Sequence, residues 1–299
     1  MSLRRVLITG GGGQLASDLE LQLESSSELI APTRTELDIT DDSALEGVLG
    51  EFRPDTVFNC AAFHNVDACE QDEEPALAVN ARAVKRLAEH CAGHGAKLIH
   101  LSTNYVFDGS QSEPYAEHDP PSPMSLYAIS KLAGEYAALA YAEDALVVRT
   151  AGLYGLRGSA SKGGNFVTRM VARAREQGEI RMVGDQRLSP TFTADLAEAI
   201  VDAVAGGVSG LLHLTNSGAC SWYEFTGAIM EIAGIDVAIE AVETERGPGV
   251  AARPLNGVLA RPGADAAGLP PLRPWDVALA SYLERSGIKA PGGAAQPAP

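Results

Sequence analysis

Short apolar runs alternate with longer amphipathic segments through the first half of the chain. The runs with strand character are Arg5–Thr9, Glu28–Thr33, Thr56–Cys60, Lys97–Thr103 and Ala145–Thr150. Each run is followed by a segment whose apolar positions have helical spacing. Apolar strands separated by helices pack as a parallel sheet that is covered on both faces. The pattern therefore predicts an α/β fold with a doubly wound parallel sheet.

The regular alternation loosens after the fifth of these strands. A segment rich in Gly and Ser, Gly152–Gly164, precedes a helix near Asn165–Gln177 and a strand near Glu179–Val183. A helix at 193–205 and a strand at Gly210–Thr215 then resemble sheet material again. We therefore expect a smaller C-terminal domain that interleaves with the first, so that a single cut would not separate the two.

A glycine-rich turn follows the first strand and reads Thr9-Gly10-Gly11-Gly12-Gly13-Gln14-Leu15-Ala16. Gly10, Gly13 and Ala16 have the spacing of the dinucleotide-binding turn of Rossmann folds. Such a turn bends sharply and lets a pyrophosphate approach the N-terminus of a helix, where the dipole favours negative charge. The alternative is a flexible loop without a ligand. The position between a strand and a helix favours the cofactor.

The end of the second strand bears on the choice of cofactor. Enzymes that use NAD carry an acid there for the ribose 2′-hydroxyl, whereas this chain has Ala31-Pro32-Thr33-Arg34. The missing acid and the Arg34 guanidinium indicate a 2′-phosphate and hence NADPH. NADH is the alternative, with Arg34 then a solvated surface charge.

Tyr127-Ala128-Ile129-Ser130-Lys131 lies in a helical segment, and a spacing of four places Tyr127 and Lys131 on one helix face. A phenol with a pKa of about 10 is a poor acid and base at neutral pH, and a nearby ammonium is expected to lower that pKa. Tyr127 can then exchange a proton with a carbonyl oxygen. The alternative is a partly buried phenol beside a solvated amine.

The end of the fourth strand, Leu101-Ser102-Thr103-Asn104-Tyr105, adds hydroxyl groups at the carboxyl edge of the sheet, where doubly wound folds bind ligands. Thr103 is positioned to share a substrate oxygen with Tyr127, so we predict it as a third catalytic residue. Local hydrogen bonds to the backbone are the alternative role for Thr103.

Together these features predict a dinucleotide-binding domain and a substrate-binding domain. We assign residues 1–151 and 193–217 to the first, and residues 152–192 and 218–289 to the second. The tail 290–299 contains only Ala, Gly, Pro and Gln, a composition that cannot bury enough apolar surface to order itself, and is predicted to be disordered.

Composition narrows the class of partner. The formal net charge of −16 would repel a phosphate backbone, which argues against nucleic acid. The chain contains no run of about 20 apolar residues and no visible export signal, so we expect a cytoplasmic protein without membrane contact. Cys60, Cys69, Cys91 and Cys220 lack metal-ligand spacing.

In combination, five segments resemble the extended short-chain dehydrogenase/reductases, and more narrowly the dTDP-4-dehydrorhamnose reductases. They are Thr9–Ala16, Asn59–His64, Ser102–Gly109, Tyr127–Lys131 and Asp185–Thr191. The resemblance implies NADPH-dependent reduction of the 4-keto group of a dTDP-linked 6-deoxy-4-hexulose, towards dTDP-L-rhamnose. It implies a nucleotide-sugar substrate and a monomer or homodimer.

The resemblance also implies roles for individual residues. Tyr127 is the proton donor, and Lys131 is its partner and binds the nicotinamide ribose. Thr33 lies in the adenosine ribose region, and Thr103 and Asn104 meet the sugar. The remaining cofactor contacts fall on Gly10, Gly12, Gly13, Gln14 and Leu15 at the pyrophosphate, on Asp38 and Ile39 at the adenine, on Ala61, Ala62, Phe63 and His64 at the nicotinamide half, and on Ser102.

The chain departs from the family pattern at two places on the substrate side. The family usually has an aspartate where this chain has Asn104, which keeps the hydrogen-bonding shape but loses the charge. It commonly has a tryptophan where this chain has Gly152, so a large stacking surface for the sugar is expected to be missing. Both departures point to a relative that acts on another nucleotide-linked keto-sugar.

The sequence also contains a weaker signal for a metal site and leaves two alternative functions. Asp67 and Glu70 resemble acids of some relatives, but acids in a first helical turn need no ligand, so no metal is predicted. A non-catalytic subunit like the regulatory partner of methionine adenosyltransferase is the main alternative, motivated by Asn104 and Gly152. An epimerase or dehydratase is a third, disfavoured by the missing acid after the second strand.

Overall fold

The computed structural model describes residues 3–158, 163–247 and 250–288. Its strands are β1 (Arg5–Thr9), β2 (Glu28–Ile30), β3 (Thr56–Asn59), β4 (Lys97–Thr103), β5 (Ala145–Thr150), β6 (Leu153–Tyr154), β7 (Glu179–Val183), β8 (Arg187–Leu188), β9 (Thr191–Phe192), β10 (Gly210–His213), β11 (Asn216–Ser217), β12 (Cys220–Ser221), β13 (Ala238–Val242) and β14 (Leu272–Pro274). Its helices are α1 (Gln14–Leu23), α2 (Asp42–Phe52), α3 (Val66–Gln71), α4 (Glu73–Leu77), α5 (Ala83–His94), α6 (Leu126–Tyr141), α7 (Phe166–Gln177), α8 (Thr193–Ala205), α9 (Trp222–Ala233), α10 (Pro262–Ala266) and α11 (Trp275–Arg285).

A six-stranded parallel sheet in the order β10-β5-β4-β3-β1-β2 forms the centre of the larger layer, which confirms the predicted α/β class. Because all six strands run the same way, the ends of β1, β3, β4 and β5 lie along one edge. There Thr9 is paired with Asn59, and Thr103 with Thr150. This edge carries the side chains on which the predicted site depends.

Two apolar cores cover the two faces of the sheet, because successive side chains of a strand point to opposite sides. Val6 and Ile8 pack with α1 and α8 on one face, whereas Leu7 packs with α2 and α5 on the other. The strands are buried on both faces, which explains their continuous apolar sequence.

Strand β2 ends at Ile30, earlier than the predicted Thr33. The chain turns there because the backbone N–H of Gly11 bonds the carbonyl of Pro32 at 3.0 Å, which ties the loop to the glycine turn. Strand β3 ends at Asn59 rather than Cys60.

The segment after β5 builds a second, smaller layer around an aromatic core of Tyr154, Phe192, Phe225 and Tyr282. Strand β7 pairs with β13, and α7, α9 and α11 pack against one another nearby. Between these parts the chain returns to the large sheet, where β10 pairs with β5. The smaller layer therefore stands above the carboxyl edge of the sheet.

The helices in the described ranges are all too short or too polar to span a bilayer. All four cysteines lie in those ranges and none forms a disulfide. The predicted disordered tail, 290–299, lies outside the described residues.

Candidate active site

The glycine turn is built so that side chains are excluded from it. A Cβ atom on Gly11 would lie 2.0 Å from the carbonyl oxygen of Ala31, and one on Gly10 would lie 2.8 Å from the backbone nitrogen of Ala61. Gly10 and Gly12 both have φ near +75°, a region that favours glycine. These contacts explain the four consecutive glycines better than flexibility does.

Helix α1 begins directly after this turn with its N-terminus open. Its N-cap, Gly13, offers no side-chain cap, and its first turn contains no acid. The first N–H groups of a helix need partners and carry partial positive charge, so an uncapped N-terminus beside a cleft suits an anion. The arrangement fits the pyrophosphate of a dinucleotide.

A cleft of about 810 Å³ runs from the glycine turn across the carboxyl edge of the sheet to the smaller layer. It is lined by nearly all the residues predicted from the sequence: Gly10, Gly12, Gly13, Gln14, Leu15, Arg34, Asp38, Ile39, Ala61, Ala62, Phe63, His64, Ser102, Thr103, Asn104, Tyr127, Lys131 and Gly152. The structure therefore brings residues from six segments of the chain into one site.

Thr33 is the predicted residue that the structure does not bring into the cleft wall. Its hydroxyl donates to the Glu36 carboxylate at 2.8 Å, and its backbone N–H bonds the same oxygen at 2.8 Å. These bonds turn its side chain along the loop after β2, and only its methyl group approaches Gly12.

Arg34 lies at the cleft end where the adenosine half of a dinucleotide is expected. Its side chain is 76% exposed, and its Nε donates to Asp38 at 3.3 Å. Asp38 is engaged mainly by Thr40, whose backbone N–H and hydroxyl hold the pKa of that carboxyl below its ordinary value. Arg34 therefore keeps donors available towards the cleft.

Tyr127, Thr103 and Lys131 meet at the centre of the cleft. Tyr127 and Lys131 share a face of α6, and the Thr103 side chain lines the same cleft and lowers the pKa of the Tyr127 phenol. Lys131 is buried, and its ammonium donates to the carbonyl oxygen of Leu101 at 2.5 Å. The Tyr105 ring packs edge-on against Tyr127 with centroids 5.8 Å apart, which fixes the phenol.

The expected effect of Lys131 on Tyr127 is wrong in this arrangement. Burial raises the pKa of Tyr127 above its ordinary value, and the Thr103 side chain offsets this only in part. The Lys131 ammonium is directed to Leu101 instead of the phenol. Burial also lowers the pKa of Lys131 to about 8, against the opposing field of the Glu135 carboxylate.

A chain of buried polar groups continues from Lys131 below the sheet edge. The Lys131 ammonium lies 3.5 Å from Nε2 of His100, whose Nδ1 lies 3.1 Å from the Asn59 amide nitrogen. Asn59 in turn accepts a hydrogen bond from Thr9 at 2.8 Å. Burial and the nearby Lys131 charge hold the pKa of His100 well below its ordinary value, so the ring is neutral.

A buried ion pair beneath the site is a feature that sequence reasoning missed. Arg149, in β5, donates to both carboxylate oxygens of Glu135 at 2.9 and 2.7 Å, and both side chains are almost fully buried. Ser102 donates to the same carboxylate at 2.5 Å. A charged residue inside an otherwise apolar strand was the available signal, since unpaired charge is rarely buried.

Asn80 is a second residue that sequence reasoning missed. It lies in a π-helical turn, Ala78–Arg82, between α4 and α5, and is fully buried. Its amide accepts from the backbone N–H of Phe63 at 2.9 Å, donates to the Phe63 carbonyl at 2.8 Å, and donates to Ser130 at 3.0 Å. Asn80 thereby fixes the predicted nicotinamide segment against α6.

Asn104 has a structural role. Its amide nitrogen donates to the carbonyl oxygen of Gly257 at 2.9 Å, linking the end of β4 to the smaller layer. A carboxylate at this position has no proton to donate at neutral pH and would face that carbonyl. Asn104 lines the cleft, but its nitrogen is already bonded within the protein.

The expectation of a missing aromatic surface near Gly152 is wrong. Gly152 has φ of +54°, and a Cβ there would lie 2.7 Å from Leu188 and 3.6 Å from the Trp222 indole. Trp222 and Leu188 both line the cleft. The space beside Gly152 is therefore taken by side chains from the smaller layer.

The acids considered for a metal have partners within the protein. Asp67 forms two hydrogen bonds with Arg253, at 2.8 and 2.9 Å, and Glu70 accepts the backbone N–H of Leu126 at 2.7 Å. Both contacts tie helix α3 to neighbouring segments.

Comparison with known proteins gives a consistent set of relatives. The family described as RmlD substrate binding domain matches residues 4–288. The spore coat polysaccharide biosynthesis protein SpsK of Bacillus subtilis is 40% identical over 283 residues, which cover 94% of this chain and 98% of that protein. The dTDP-4-dehydrorhamnose reductase of Mycobacterium tuberculosis is 41% identical over 286 residues, 93% of this chain and 92% of that one.

A solved structure gives the same result. The dTDP-4-dehydrorhamnose reductase of Bacillus anthracis, crystallised with NADP, superposes with a TM-score of 0.89 at 34% identity. The match covers 95% of this chain and all of that one, 100%.

Proposed function

The chain belongs to the family described as RmlD substrate binding domain, and on that premise we propose that the protein uses NADPH to reduce the 4-keto group of a dTDP-linked 6-deoxy-4-hexulose. The first candidate substrate is dTDP-4-dehydrorhamnose, which gives dTDP-L-rhamnose. The proposal rests above all on the grouping of Tyr127, Thr103 and Lys131 in one cleft with the glycine turn.

Tyr127 acts as the proton donor. Its raised pKa keeps the phenol protonated at neutral pH, which is the state that a donor to a carbonyl oxygen requires. The phenolic proton passes to the carbonyl oxygen, which becomes the new hydroxyl. Thr103, which lines the cleft together with Tyr127, would bond the same oxygen and orient it.

When bound, NADPH supplies the hydride that reduces the carbonyl carbon. Gly10 to Leu15 would hold its pyrophosphate, and Arg34 its 2′-phosphate. The buried ammonium of Lys131 would bind the nicotinamide ribose. Asn80 keeps the Phe63 backbone in place beside the nicotinamide half.

NADPH rather than NADH is supported by two observations. The chain has an arginine, Arg34, after β2 where an NAD enzyme has an acid, and this arginine lines the cleft. The related reductase of Bacillus anthracis was solved with NADP.

An anionic substrate is supported by charge at the other end of the cleft. Arg169 and Arg187 line it from the smaller layer and are both exposed. In a chain with a net charge of −16, two cationic side chains that line one cleft favour a ligand such as a nucleoside diphosphate.

A second candidate is reduction of a different nucleotide-linked keto-deoxysugar. Asn104 and Gly152, both on the substrate side, favour it. A non-catalytic subunit and an epimerase are less well supported, because Tyr127, Thr103 and Lys131 are grouped as a reductase requires and the acid that binds NAD is missing.

The test is to mix the protein with NADPH and dTDP-4-dehydrorhamnose and to follow the absorbance of the reduced nicotinamide. We expect turnover that stops when either component is omitted. Related dTDP-4-keto-6-deoxysugars tested in parallel distinguish the second candidate. Absence of turnover with all of them would contradict the proposal, and product formed without added NADPH would indicate an epimerase.

A further inference from the structure

An apolar wall closes the cleft beside Gly152. This apolar wall consists of three side chains: Phe166 at the start of α7, Leu188 in β8 and Trp222 at the start of α9. The three side chains come from separate segments of the smaller layer. Phe166 and Trp222 are half-buried, so part of each ring faces the cleft.

The apolar wall lies close enough to the reacting groups for one sugar to contact both. Thr103 and Thr150 are direct neighbours on β4 and β5, and Gly152 follows Thr150 by two residues. With strands about 4.8 Å apart and about 3.3 Å per residue, Gly152 lies about 8 Å from Thr103. The Trp222 indole comes within 3.6 Å of the position of a Gly152 Cβ, and Leu188 within 2.7 Å.

The Trp222 side chain is held in place. Its ring lies 4.4 Å from the Phe166 ring, centroid to centroid, and 6.2 Å from that of Phe225. Its backbone N–H bonds the Gln186 carbonyl at 3.3 Å, and its own carbonyl accepts the Thr226 hydroxyl at 2.7 Å. A surface fixed in this way presents a defined shape to a ligand.

The wall offers mainly apolar contacts. Gln186, the polar neighbour that also lines the cleft, donates its amide to Thr244 at 3.0 Å. A hydroxyl group placed against Leu188, Phe166 or the carbon face of the Trp222 indole would lose its water and gain no hydrogen bond, whereas a methyl group or the C–H face of a sugar ring would gain contact.

We propose that Trp222, with Leu188 and Phe166, binds the deoxygenated edge of the sugar and selects a 6-deoxy-hexulose over a sugar with a 6-hydroxyl group. Trp222 is then a specificity-determining residue that supplies from α9 the surface that Gly152 cannot. The inference rests on the proposed function, since it assumes a dTDP-sugar in this cleft.

Binding of two unreactive probes tests this inference separately from turnover. The dissociation constants of dTDP-6-deoxyglucose and dTDP-glucose are measured by calorimetry on protein saturated with NADPH, because neither probe has a keto group that NADPH could reduce. We expect the deoxy probe to bind more tightly, by about 10-fold to 100-fold, because an apolar pocket rejects an added hydroxyl by no more than about 100-fold. Trp222→Ala should reduce that ratio towards one.

The controls separate the possible failures. Tyr223→Ala removes the exposed neighbour of Trp222 and should leave the ratio unchanged, and Leu188→Ala, which removes a second part of the wall, should also reduce it. NADPH binding should be the same in all variants, which shows that they are folded. If neither probe binds the wild type, the proposed function fails. If both bind and the ratio survives Trp222→Ala and Leu188→Ala, only this inference is overturned.

Discussion

Neutralising Glu135 is expected to move the alkaline loss of activity to lower pH. Burial lowers the pKa of Lys131 to about 8, and the Glu135 carboxylate, one turn further along α6, opposes that decrease. The reaction needs Lys131 as an ammonium, so activity falls as the pH rises through this pKa. Glu135→Gln removes the charge that keeps Lys131 protonated and leaves the shape of the side chain nearly unchanged.

The size of the shift follows from distance and charge. Residues four apart on a helix have Cβ atoms about 6 Å apart, and two unit charges at about 6 Å with an effective dielectric of about 20 interact by about 2.8 kcal/mol. At about 1.4 kcal/mol per pKa unit, the upper limit is about two units. Arg149, which donates two hydrogen bonds to Glu135, is present in both proteins, so its charge does not enter this difference. We therefore expect the pKa of Lys131 to decrease by about one to two units.

The assay is the pH profile of kcat/KM for keto-sugar reduction. The wild-type profile should fall on the alkaline side with an apparent pKa near 8, as for Lys131, and that of Glu135→Gln should fall about one to two units lower. Glu143→Gln, an exposed carboxylate just beyond α6, is the matched control and should not change the profile. If the alkaline side of the profile stays in place or moves to higher pH in Glu135→Gln, the reasoning is refuted.

Stability must be controlled in this experiment. Removing one partner of a buried ion pair leaves the other charge uncompensated and costs about 3–5 kcal/mol. Glu135→Gln combined with Arg149→Met removes both charges and should be more stable than the single variant. Its alkaline limb should shift in the same direction by a smaller amount, because the opposing charge of Arg149 is also lost.

Four further outcomes are expected. Tyr127→Phe should lower kcat by about 10²-fold to 10⁴-fold, the usual contribution of a general acid, with NADPH affinity unchanged by fluorescence titration. Arg34→Ala should raise the KM for NADPH more than that for NADH, since only NADPH carries the 2′-phosphate; equal effects would exclude this role. Asn104→Asp should cost about 1–3 kcal/mol in urea unfolding, because a donor to Gly257 is replaced by an acceptor. Burial lowers the pKa of His213 to about 4, so between about pH 6.5 and 4 the unfolded chain binds a proton that the folded chain does not. The free energy of unfolding should therefore decrease as the pH is lowered through this window, and less steeply in His213→Gln.

The sheet and the centre of the site could be predicted because their signals are local. Continuous apolar runs identify buried parallel strands, and the strand ends place Thr103 near the edge where Tyr127 and Lys131 arrive from α6. The boundaries of the two domains stay a prediction. Local signals do not predict the hydrogen bonds within a loop, such as the bond from Thr33 to Glu36 that turns Thr33 away from the cleft.

Electrostatics were predicted less well than positions. A spacing of four places Tyr127 near Lys131, but it does not tell how deeply either is buried or where the ammonium points. Burial of the phenol outweighs the neighbouring charge and raises the pKa of Tyr127. Glu135 and Arg149 are separated by 14 positions in the chain and meet only because α6 packs on β5.

Asn104 and Gly152, the two positions expected to depart from the family pattern, are connected through one short strand. Asn104 bonds the carbonyl of Gly257, and the backbone N–H of Gly257 bonds the carbonyl of Arg187 in β8 at 2.8 Å. Gly152 is in contact distance of Leu188, the next residue of β8. Both substituted positions therefore meet the same short strand, one through a hydrogen-bonded loop and one by packing.

This connection explains why the sequence located the departures but misjudged their effect. A missing side chain at Gly152 suggested an open pocket, yet β8 brings Leu188, and α9 brings Trp222, into the space that is left. A tryptophan at position 152 would need a strained backbone at φ of +54° and would overlap Leu188. We therefore expect the specificity of the sugar half of the cleft to depend on the placement of β8 and the apolar wall, rather than on Asn104 or Gly152 alone.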